Sequence, residues 1–180
     1  MYELAILARG GVLLTVWAVA AGWPPGRLAG RLRRDGWQRI CRGAWAAPGK
    51  ETDWRVRATA LQLLRPELVC SHGTAARLRR IERLRVVEGG AGAGGSERLE
   101  FTAPAPGRST RGDRIRVHAT AFLTAEDRSI RRGLRTTTPA RTVGDLIREA
   151  GSREEAVVAA DSALAGRAVD GVRRGALVRP

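Results

Sequence analysis

Apolar and basic segments alternate between residues 11 and 48. An apolar run over 11–22 is followed by Pro24-Pro25 and then by a segment, 27–34, in which leucines alternate with arginines. Asp35-Gly36 ends that segment, and residues 37–45 follow with the pattern of a β-hairpin. Two short helices and then a basic β-ribbon is the order of parts that DNA binding needs. The pattern predicts a winged helix-turn-helix in residues 1–50.

The arginine-rich helix has two distinct faces. At about 100° per residue, Arg27, Arg31 and Arg34 fall within roughly 60° of one another. Leu28 and Leu32 lie about 100–140° away, on a neighbouring face. We therefore expect the leucines to pack and the arginines to face solvent. A guanidinium donates two hydrogen bonds at once to a phosphate or a guanine edge, which favours DNA binding over a solvated basic face.

Local signals give further expectations for this segment. All five tryptophans occur at or before residue 54, so we expect the segment to have its own core. A short first helix is predicted over 1–8. Thr15 is predicted to cap the second helix, and Gly22 to follow its end. Pro24 or Pro25 is predicted in the first turn of the third helix, where a missing N–H costs nothing.

From residue 51 onwards, helices and strands are mixed without regular alternation. Helices are predicted over 53–65 and 72–83 and again after Thr138 and Ser152, with strands or hairpins at 68–70, 84–87, 98–102, 115–122 and 129–137. The first of these helices would bury Trp54, Ala58, Leu61 and 64–65, and the third Val143, Leu146 and Ile147. The class is therefore α+β, with a winged domain at 1–50, a small α+β domain at 51–168 and a tail at 169–180.

The glycine-rich segment 89–96 formally contains GxGxxG. A dinucleotide site requires a strand before this motif and a helix directly after it. A strand-like alternation follows instead, so we interpret the segment as a surface connection.

The charge points to an anionic partner, which can be a nucleic acid, an acidic protein or an anionic surface. The chain carries a net charge of +14, and 31 of its 32 basic residues are arginine, with Lys50 the exception. Residues 1–50 hold seven arginines and Lys50 against Glu3 and Asp35, a net charge of +6. The first residues lack the basic character of a signal peptide, and the apolar run is shorter than the ~20 residues of a membrane span. We expect a cytoplasmic protein that binds nucleic acid and no membrane.

The sequence predicts no catalytic, cofactor or metal site. The two cysteines and two histidines are far apart and have no ligand spacing, so the cysteines are expected to be reduced and buried. His118 is expected to be solvated or at a rim, and Ser71 to be a helix cap. Lys50 lies beside Glu51 and Asp53, but at a loop-to-helix junction rather than on a nuclease-type strand. An enzyme is therefore disfavoured.

Three segments together resemble a known family. Residues 36–45, GWQRICRGAW, are similar to a wing motif GxWxRVxRGVY, and residues 137–146, TTPARTVGDL, to TTPARTLLDL. Between them, 71–76, SHGTAA, is similar to SHxSAA. In this order, over roughly 5–168, they resemble the AbiEi-type antitoxins of type IV toxin–antitoxin systems. The related N-terminal regions of Vsr-like endonuclease proteins share these motifs.

The resemblance implies a function. Such proteins repress their own operon by binding double-stranded promoter DNA, and they counteract a nucleotidyltransferase toxin without a stable complex. Carried onto this chain, the DNA contacts are Arg27, Arg31, Arg33, Arg34, Arg39 and Arg42. Pro139, Arg141 and Asp145 match the second motif, interpreted either as a capped helix with an i,i+4 surface pair or as an antitoxin surface.

The chain departs from the family in places. Trp23-Pro24-Pro25 replaces the usual polar cap, and Ala44-Trp45 replaces Val-Tyr. The chain ends where endonuclease-fused relatives continue, so we transfer no nuclease function. The alternatives are a protein-interaction module that neutralises a partner directly and a remnant of an endonuclease-fused protein.

Overall fold

The computed structural model describes residues 2–84, 98–104, 110–111 and 114–176. Over these residues it contains seven helices and nine strands in two sheets, so the predicted α+β class is confirmed. The chain divides into two compact units, an N-terminal unit, Met1–Leu68, and a C-terminal unit, Val69–Pro180. Among the described residues, no helix combines the length and the apolar character needed to cross a membrane.

The N-terminal unit is built from four helices and one three-stranded sheet. Its elements are α1 Tyr2–Ile6, β1 Val12–Leu14, α2 Thr15–Ala20, α3 Pro25–Arg34, β2 Gln38–Cys41, β3 Ala44–Ala46 and α4 Trp54–Leu64. The sheet order is β1-β3-β2, and both pairings are antiparallel. The β2–β3 hairpin predicted at 37–45 is therefore present.

Two apolar clusters hold this unit together. Trp37 and Trp45 are each only 4% exposed in the first cluster, with Trp23 packed against it. The second cluster lies between the sheet and α4, where Val56 and Ala60 of α4 pack against the strands. The expected tryptophan core is thus present, and α4 completes it. The compact unit therefore ends after Leu68 rather than at residue 50.

Several local predictions for this unit are confirmed. Pro25 is the first residue of α3, and Gly22 follows α2 with a φ of +93°. Asp35 caps the C-terminal end of α3, and Gly36 follows with a φ of +82°. Glycine suits both turns because it adopts a left-handed φ at no steric cost.

Other local predictions are wrong. Residues 12–14, for which no element was predicted, form a strand because they pair with β3. Thr15 does not cap α2; its hydroxyl accepts a hydrogen bond from Trp45 Nε1 at 3.2 Å. In α4 the buried side chains include Val56, Ala60 and Gln62; of the predicted face, Ala58 is buried and Leu64 packs partly buried against the second cluster. The cap of α4 is Asp53 rather than Thr52, the residue expected from the sequence; Asp53 Oδ1 accepts from Val56 N at 2.9 Å.

Over its described residues, the C-terminal unit is a six-stranded mixed sheet with three helices. Its elements are β4 Val69–Cys70, α5 His72–Arg79, β5 Leu99–Pro104, β6 Thr110–Arg111, β7 Ile115–Thr120, β8 Arg128–Arg131, β9 Leu134–Thr137, α6 Pro139–Glu149 and α7 Arg153–Ala176. The order is β6-β7-β5-β4-β9-β8, with β5–β7 and β4–β9 parallel. A shared apolar cluster joins α5, α6 and α7 through Ala76, Leu146 and Ala159.

This unit confirms most predicted elements and corrects three. Helix α5 ends at Arg79 rather than near residue 83, and Ile147 of α6 is 44% exposed rather than buried. Helix α7 continues to Ala176, so the predicted tail at 169–180 is helical over most of its length. Most of the predicted strand at 84–87 and the whole glycine-rich segment 89–96 lie outside the described residues.

Candidate functional site

The arginines predicted to contact DNA lie on α3 and on the β2–β3 hairpin. Helix α3 buries Leu28 and Leu32, which are 2% and 0% exposed, against the core of the N-terminal unit. Arg27, on the same helix, is exposed. The same is true of the other predicted contacts, Arg31, Arg33, Arg34, Arg39 and Arg42. The helical-wheel prediction of separate apolar and basic faces is therefore confirmed.

Neighbouring groups position some of these guanidinium groups. Arg31 Nε donates to Asp35 Oδ2 at 2.7 Å and its guanidinium lies 6.0 Å from the Trp23 ring. Arg33 lies 5.8 Å from the ring of Trp45. An arginine held over an aromatic ring keeps its charge and outer N–H groups available while losing rotamer freedom. Such side chains have less entropy to lose when they bind an anion.

The hairpin presents its arginines at a tight turn. Residues 42 and 43 join the strands, and Gly43 adopts a φ of +87°. The register shifts between Arg39 and Cys41, and Arg39 Nε approaches the Cys41 carbonyl at 3.5 Å. Arg42 is exposed at the tip. The hairpin thus carries two exposed cations directly after α3 in the chain.

In the C-terminal unit the TTPARTVGDL segment forms the β9–α6 junction. Thr138 Oγ1 accepts from Arg141 N at 3.4 Å, and Pro139 is the first residue of α6, so the predicted cap is confirmed. The hydroxyls of Thr137 and Thr142 share a hydrogen bond of 2.7 Å. These contacts give the motif a structural role at the start of the helix.

The predicted Arg141–Asp145 pair exists, but it is not a surface pair. Arg141 Nε contacts Asp145 Oδ1 at 2.9 Å, and the two side chains are only 15% and 5% exposed. Arg141 Nη1 also donates to the carbonyl of Phe122 at 2.7 Å and pairs with Asp127 at 3.0 Å. Arg148 Nη2 reaches the same Asp145 oxygen at 2.8 Å. Arg141 therefore ties α6 to the segment before β8.

A second polar cluster, which the sequence did not predict, contains both histidines. The His72 and His118 rings are stacked, with centroids 3.6 Å apart and planes 11° apart. The expectation that His118 is solvated or at a rim is wrong, since its side chain is only 14% exposed. Ser71 occupies the cap position of α5, but its hydroxyl lies 2.9 Å from His72 Nδ1 and makes no capping bond.

Two carboxylates face this histidine pair. Glu149 Oε2 lies 3.9 Å from His72 Nε2, and Glu149 Oε1 lies 3.9 Å from His118 Nδ1. Glu100 Oε1 lies 3.7 Å from His118 Nε2. Arg116 pairs with Glu149 at 2.6 Å and lies 3.8 Å from Glu100. We call these five residues, together with Ser71, the histidine cluster.

Burial determines the charge states in the histidine cluster. The pKa of His72 falls from 6.5 to about 3, first because burial disfavours the imidazolium and then because His118 is adjacent. The pKa of Glu100 is lowered despite burial, because His118 and the Gly73 N–H stabilise its carboxylate. The Gly73 bond is 2.7 Å long. At neutral pH the histidine cluster therefore contains a neutral His72 imidazole and an ionised Glu100 carboxylate.

Spacing along the chain could not reveal this cluster, because its members come from α5, β5, β7 and α6. Alternation along β7 does place Arg116 and His118 on one face, and in-register pairing puts Glu100 opposite Arg116.

Three side chains of the cluster have possible metal-ligand atoms close together. A ligand atom from each of His72, His118 and Glu149 lies within 4.8 Å of the other two. Imidazole nitrogens and carboxylate oxygens are donors that divalent transition metals accept.

No model of a known protein family matches this chain, and no curated protein matches it. Both sites must therefore be interpreted from their own geometry.

Proposed function

We propose that the N-terminal unit is a winged helix-turn-helix that binds double-stranded DNA. The order α1-β1-α2-α3-β2-β3 supports this, with α2 and α3 as the helix-turn-helix and the β2–β3 hairpin as the wing. The strand β1 pairs with β3 and so links the wing to the start of α2. In this arrangement α3 is the recognition helix.

The observation that carries the proposal is the division of α3 into two faces. Burial of Leu28 and Leu32 fixes the rotation of the helix. That rotation leaves Arg27, Arg31 and Arg34 exposed together. Residues in the N-terminal part of a recognition helix are the ones that reach base edges in the major groove. Arg27, in the first turn of α3, is therefore our candidate for base contact, and Arg42 on the wing for phosphate contact.

We further propose that the protein is an antitoxin-type transcriptional regulator, which represses its own operon and counteracts a nucleotidyltransferase toxin without a stable complex. The support is the resemblance of the three motifs together with the exposed arginines. In this proposal the N-terminal unit supplies repression, and the C-terminal unit supplies the antitoxin activity. We expect no catalytic activity of its own.

Binding to the DNA upstream of the gene tests the first part. Fluorescence anisotropy would compare that duplex with a scrambled duplex of equal length at several salt concentrations. A specific repressor should prefer its own sequence by roughly 10³-fold or more at physiological salt. Equal affinities for the two duplexes that fall together as salt rises would show that the unit binds DNA only by non-specific charge attraction, and would contradict the proposal.

Growth rescue tests the second part. The full chain would be co-expressed with the nucleotidyltransferase encoded beside it, as wild type and as the triple variant Arg27→Ala, Arg31→Ala and Arg34→Ala. We expect both to restore growth and only the wild type to repress a reporter driven by the operon promoter. Failure of both proteins to restore growth would contradict the antitoxin role. It would not affect the DNA-binding proposal, which the anisotropy measurement tests separately.

A second candidate function is direct neutralisation of a protein partner. It is favoured by two exposed apolar side chains of the C-terminal unit, Phe122 at 81% and Ile130 at 76%. Ile130 lies on β8, an outer strand of the six-stranded sheet, where exposed backbone groups can pair with another chain. Stable co-purification with the toxin, lost in a Phe122→Ser/Ile130→Ser variant, would favour this candidate over the first.

A further inference from the structure

We propose that His72, His118 and Glu149 bind a divalent transition metal ion, with Zn²⁺ as the ion that fits them best. This site lies wholly in the C-terminal unit and does not depend on the proposed DNA binding. Two imidazoles and one carboxylate make a ligand set that Zn²⁺ accepts, and such a set leaves a fourth position for water or another donor.

The direction of each ring nitrogen supports the site. His72 Nδ1 is turned towards Ser71 Oγ at 2.9 Å, so its Nε2 is the nitrogen that faces Glu149. His118 Nε2 is turned towards Glu100 Oε1 at 3.7 Å, so its Nδ1 faces Glu149. Metal-binding histidines usually have this arrangement, with one nitrogen on the ion and the other directed at an oxygen that fixes the ring.

The outer contacts are themselves held in place. Glu100 Oε2 accepts from Gly73 N at 2.7 Å, and Glu100 N donates to Thr74 Oγ1 at 2.8 Å. His118 Nε2 is buried without a hydrogen-bond partner among the described residues. A small movement of the ring towards Glu100 would satisfy it. His118 Nε2 is therefore a buried nitrogen that lies near the Glu100 carboxylate without being hydrogen-bonded to it.

The separations are close to those of a metal site. Tetrahedral ligands about 2.0–2.1 Å from Zn²⁺ lie roughly 3.3 Å from one another. The carboxylate oxygens of Glu149 lie 3.9 Å from the two ring nitrogens that face them. The parallel rings must also splay, because both lone pairs have to point at one ion. Binding thus requires the three ligand atoms to move closer together by rotation of their side chains.

One cation already lies beside the carboxylate. Arg116 Nη1 contacts Glu149 Oε1 at 2.6 Å, whereas Oε2 is the oxygen nearer His72. An ion bound through Oε2 can leave the Arg116 contact in place, and one bound through Oε1 must compete with it. We therefore expect a site of moderate rather than extreme affinity.

Titration of the purified, chelator-stripped full chain with Zn²⁺ tests the site. The protein should carry no histidine tag, because the chain has only two histidines and both belong to the cluster. We expect about one equivalent of Zn²⁺ to bind by calorimetry. Co²⁺ should give visible d–d absorption of a site with nitrogen and oxygen ligands.

The decisive comparison uses two glutamate variants. Glu149→Gln removes a proposed ligand, and Glu126→Gln removes an equal charge from an exposed position of the same unit. We expect Glu149→Gln to weaken Zn²⁺ binding at least tenfold and Glu126→Gln to leave it unchanged. Equal binding by the two variants, or no Zn²⁺ binding by the wild type, would overturn the proposal.

A measurement on the wild type alone guards against misfolding of a variant. Nuclear magnetic resonance of the two imidazole side chains should show both rings shifting on Zn²⁺ addition and saturating at one equivalent. Ring signals that are unchanged at excess Zn²⁺ would also overturn the site.

Discussion

The imidazole rings of His72 and His118 lie face to face, with centroids 3.6 Å apart. His72 also has a φ of +45°, in the left-handed region that residues with a side chain rarely adopt. Such backbone strain persists only where surrounding contacts hold it, and it is concentrated at functional sites. Here the β4–α5 junction holds His72 against a strand that lies far along the sequence. The pair thus joins α5 to β7.

Acid should weaken the fold through this pair. The pKa of His72 is about 3 in the folded chain and 6.5 when unperturbed, because burial and then His118 disfavour its proton. Between these values the unfolded chain binds a proton that the folded chain does not, so the free energy of unfolding falls as pH falls. The groups that face His72 are His118, Glu100, Glu149, Arg116 and Arg83. Urea unfolding from pH 7.5 down to pH 4, with a chelator present, measures the effect.

The control for that experiment is His72→Gln, which cannot take up the proton. We expect the stability advantage of the wild type over this variant to be constant above pH 6.5 and to shrink below it. A difference that stays the same at pH 7.5 and pH 4 would show that His72 is not held neutral.

Removing the Arg141 guanidinium should destabilise the C-terminal unit. Among the described residues, the change Arg141→Ala leaves the Asp145 carboxylate, which is 5% exposed, with Arg148 as its remaining cationic partner, and it removes the ion pair with Asp127. Loss of one partner of a buried pair leaves a desolvated charge, so we expect a cost of about 2–3 kcal/mol. Chemical denaturation of the purified variant measures it.

Arg148→Ala is the matched control. It removes a cation from the same Asp145, but the Arg148 side chain is 65% exposed. An exposed pair contributes about 0–1 kcal/mol. If both variants lost the same stability, burial of Arg141 would not be the source of its effect.

The sequence predicted those features that depend on local pattern. The leucine and arginine faces of α3, the hairpin after it and the Thr138 cap of α6 each follow from residues close together in the chain. Strand β1 was missed because Val12–Leu14 is a short apolar run, and such a run does not distinguish a strand from a buried helix. Its strand conformation comes from pairing with β3.

The histidine cluster was missed for a related reason. Spacing along the chain detects ligands that share one element, whereas His72 and His118 meet only because β4, which precedes α5, and β7 both pair with β5. The role of Arg141 was underestimated similarly, since its contacts with Phe122 and Asp127 come from the loop before β8. Sheet order is a property of the whole unit, and no short window of sequence contains it.

The two cysteines should differ in reactivity. Cys70 is fully buried, and burial raises the pKa of its thiol to about 12. Cys41 is only partly buried; burial raises its pKa as well, but Arg39 and Arg57 oppose that rise. We expect one thiol per native chain to react with Ellman's reagent, and two after denaturation. The fast reaction should vanish in Cys41→Ser, and two fast thiols in the wild type would contradict this account.

Arg27 and Arg42 should have different effects on DNA recognition. Arg27→Ala removes a side chain from the first turn of the proposed recognition helix, so we expect a loss of about 1–3 kcal/mol on the cognate duplex and less on a scrambled one. Arg42→Ala, on the wing, should weaken both duplexes about equally and lower the salt slope by about one. Anisotropy titrations with both duplexes measure this. If both variants lost the same affinity on both duplexes, the proposed base contact by Arg27 would be contradicted.

The ion pair between Arg31 and Asp35 should restrain DNA binding. Asp35 holds the Arg31 guanidinium at 2.7 Å and places a negative charge at the end of α3. Asp35→Asn should therefore strengthen binding to any duplex and steepen the salt dependence by about one, because the carboxylate no longer competes with a phosphate for Arg31. Glu51→Gln, which removes one negative charge from an exposed position outside α3 and the wing, is the matched control and should change the slope less. Weaker binding by Asp35→Asn would contradict this prediction and show that Asp35 orients Arg31. Equal behaviour of the two variants would contradict it too, and show that Asp35 only lowers the net charge. In either case the proposed DNA contacts on α3 would be limited to Arg27 and Arg34.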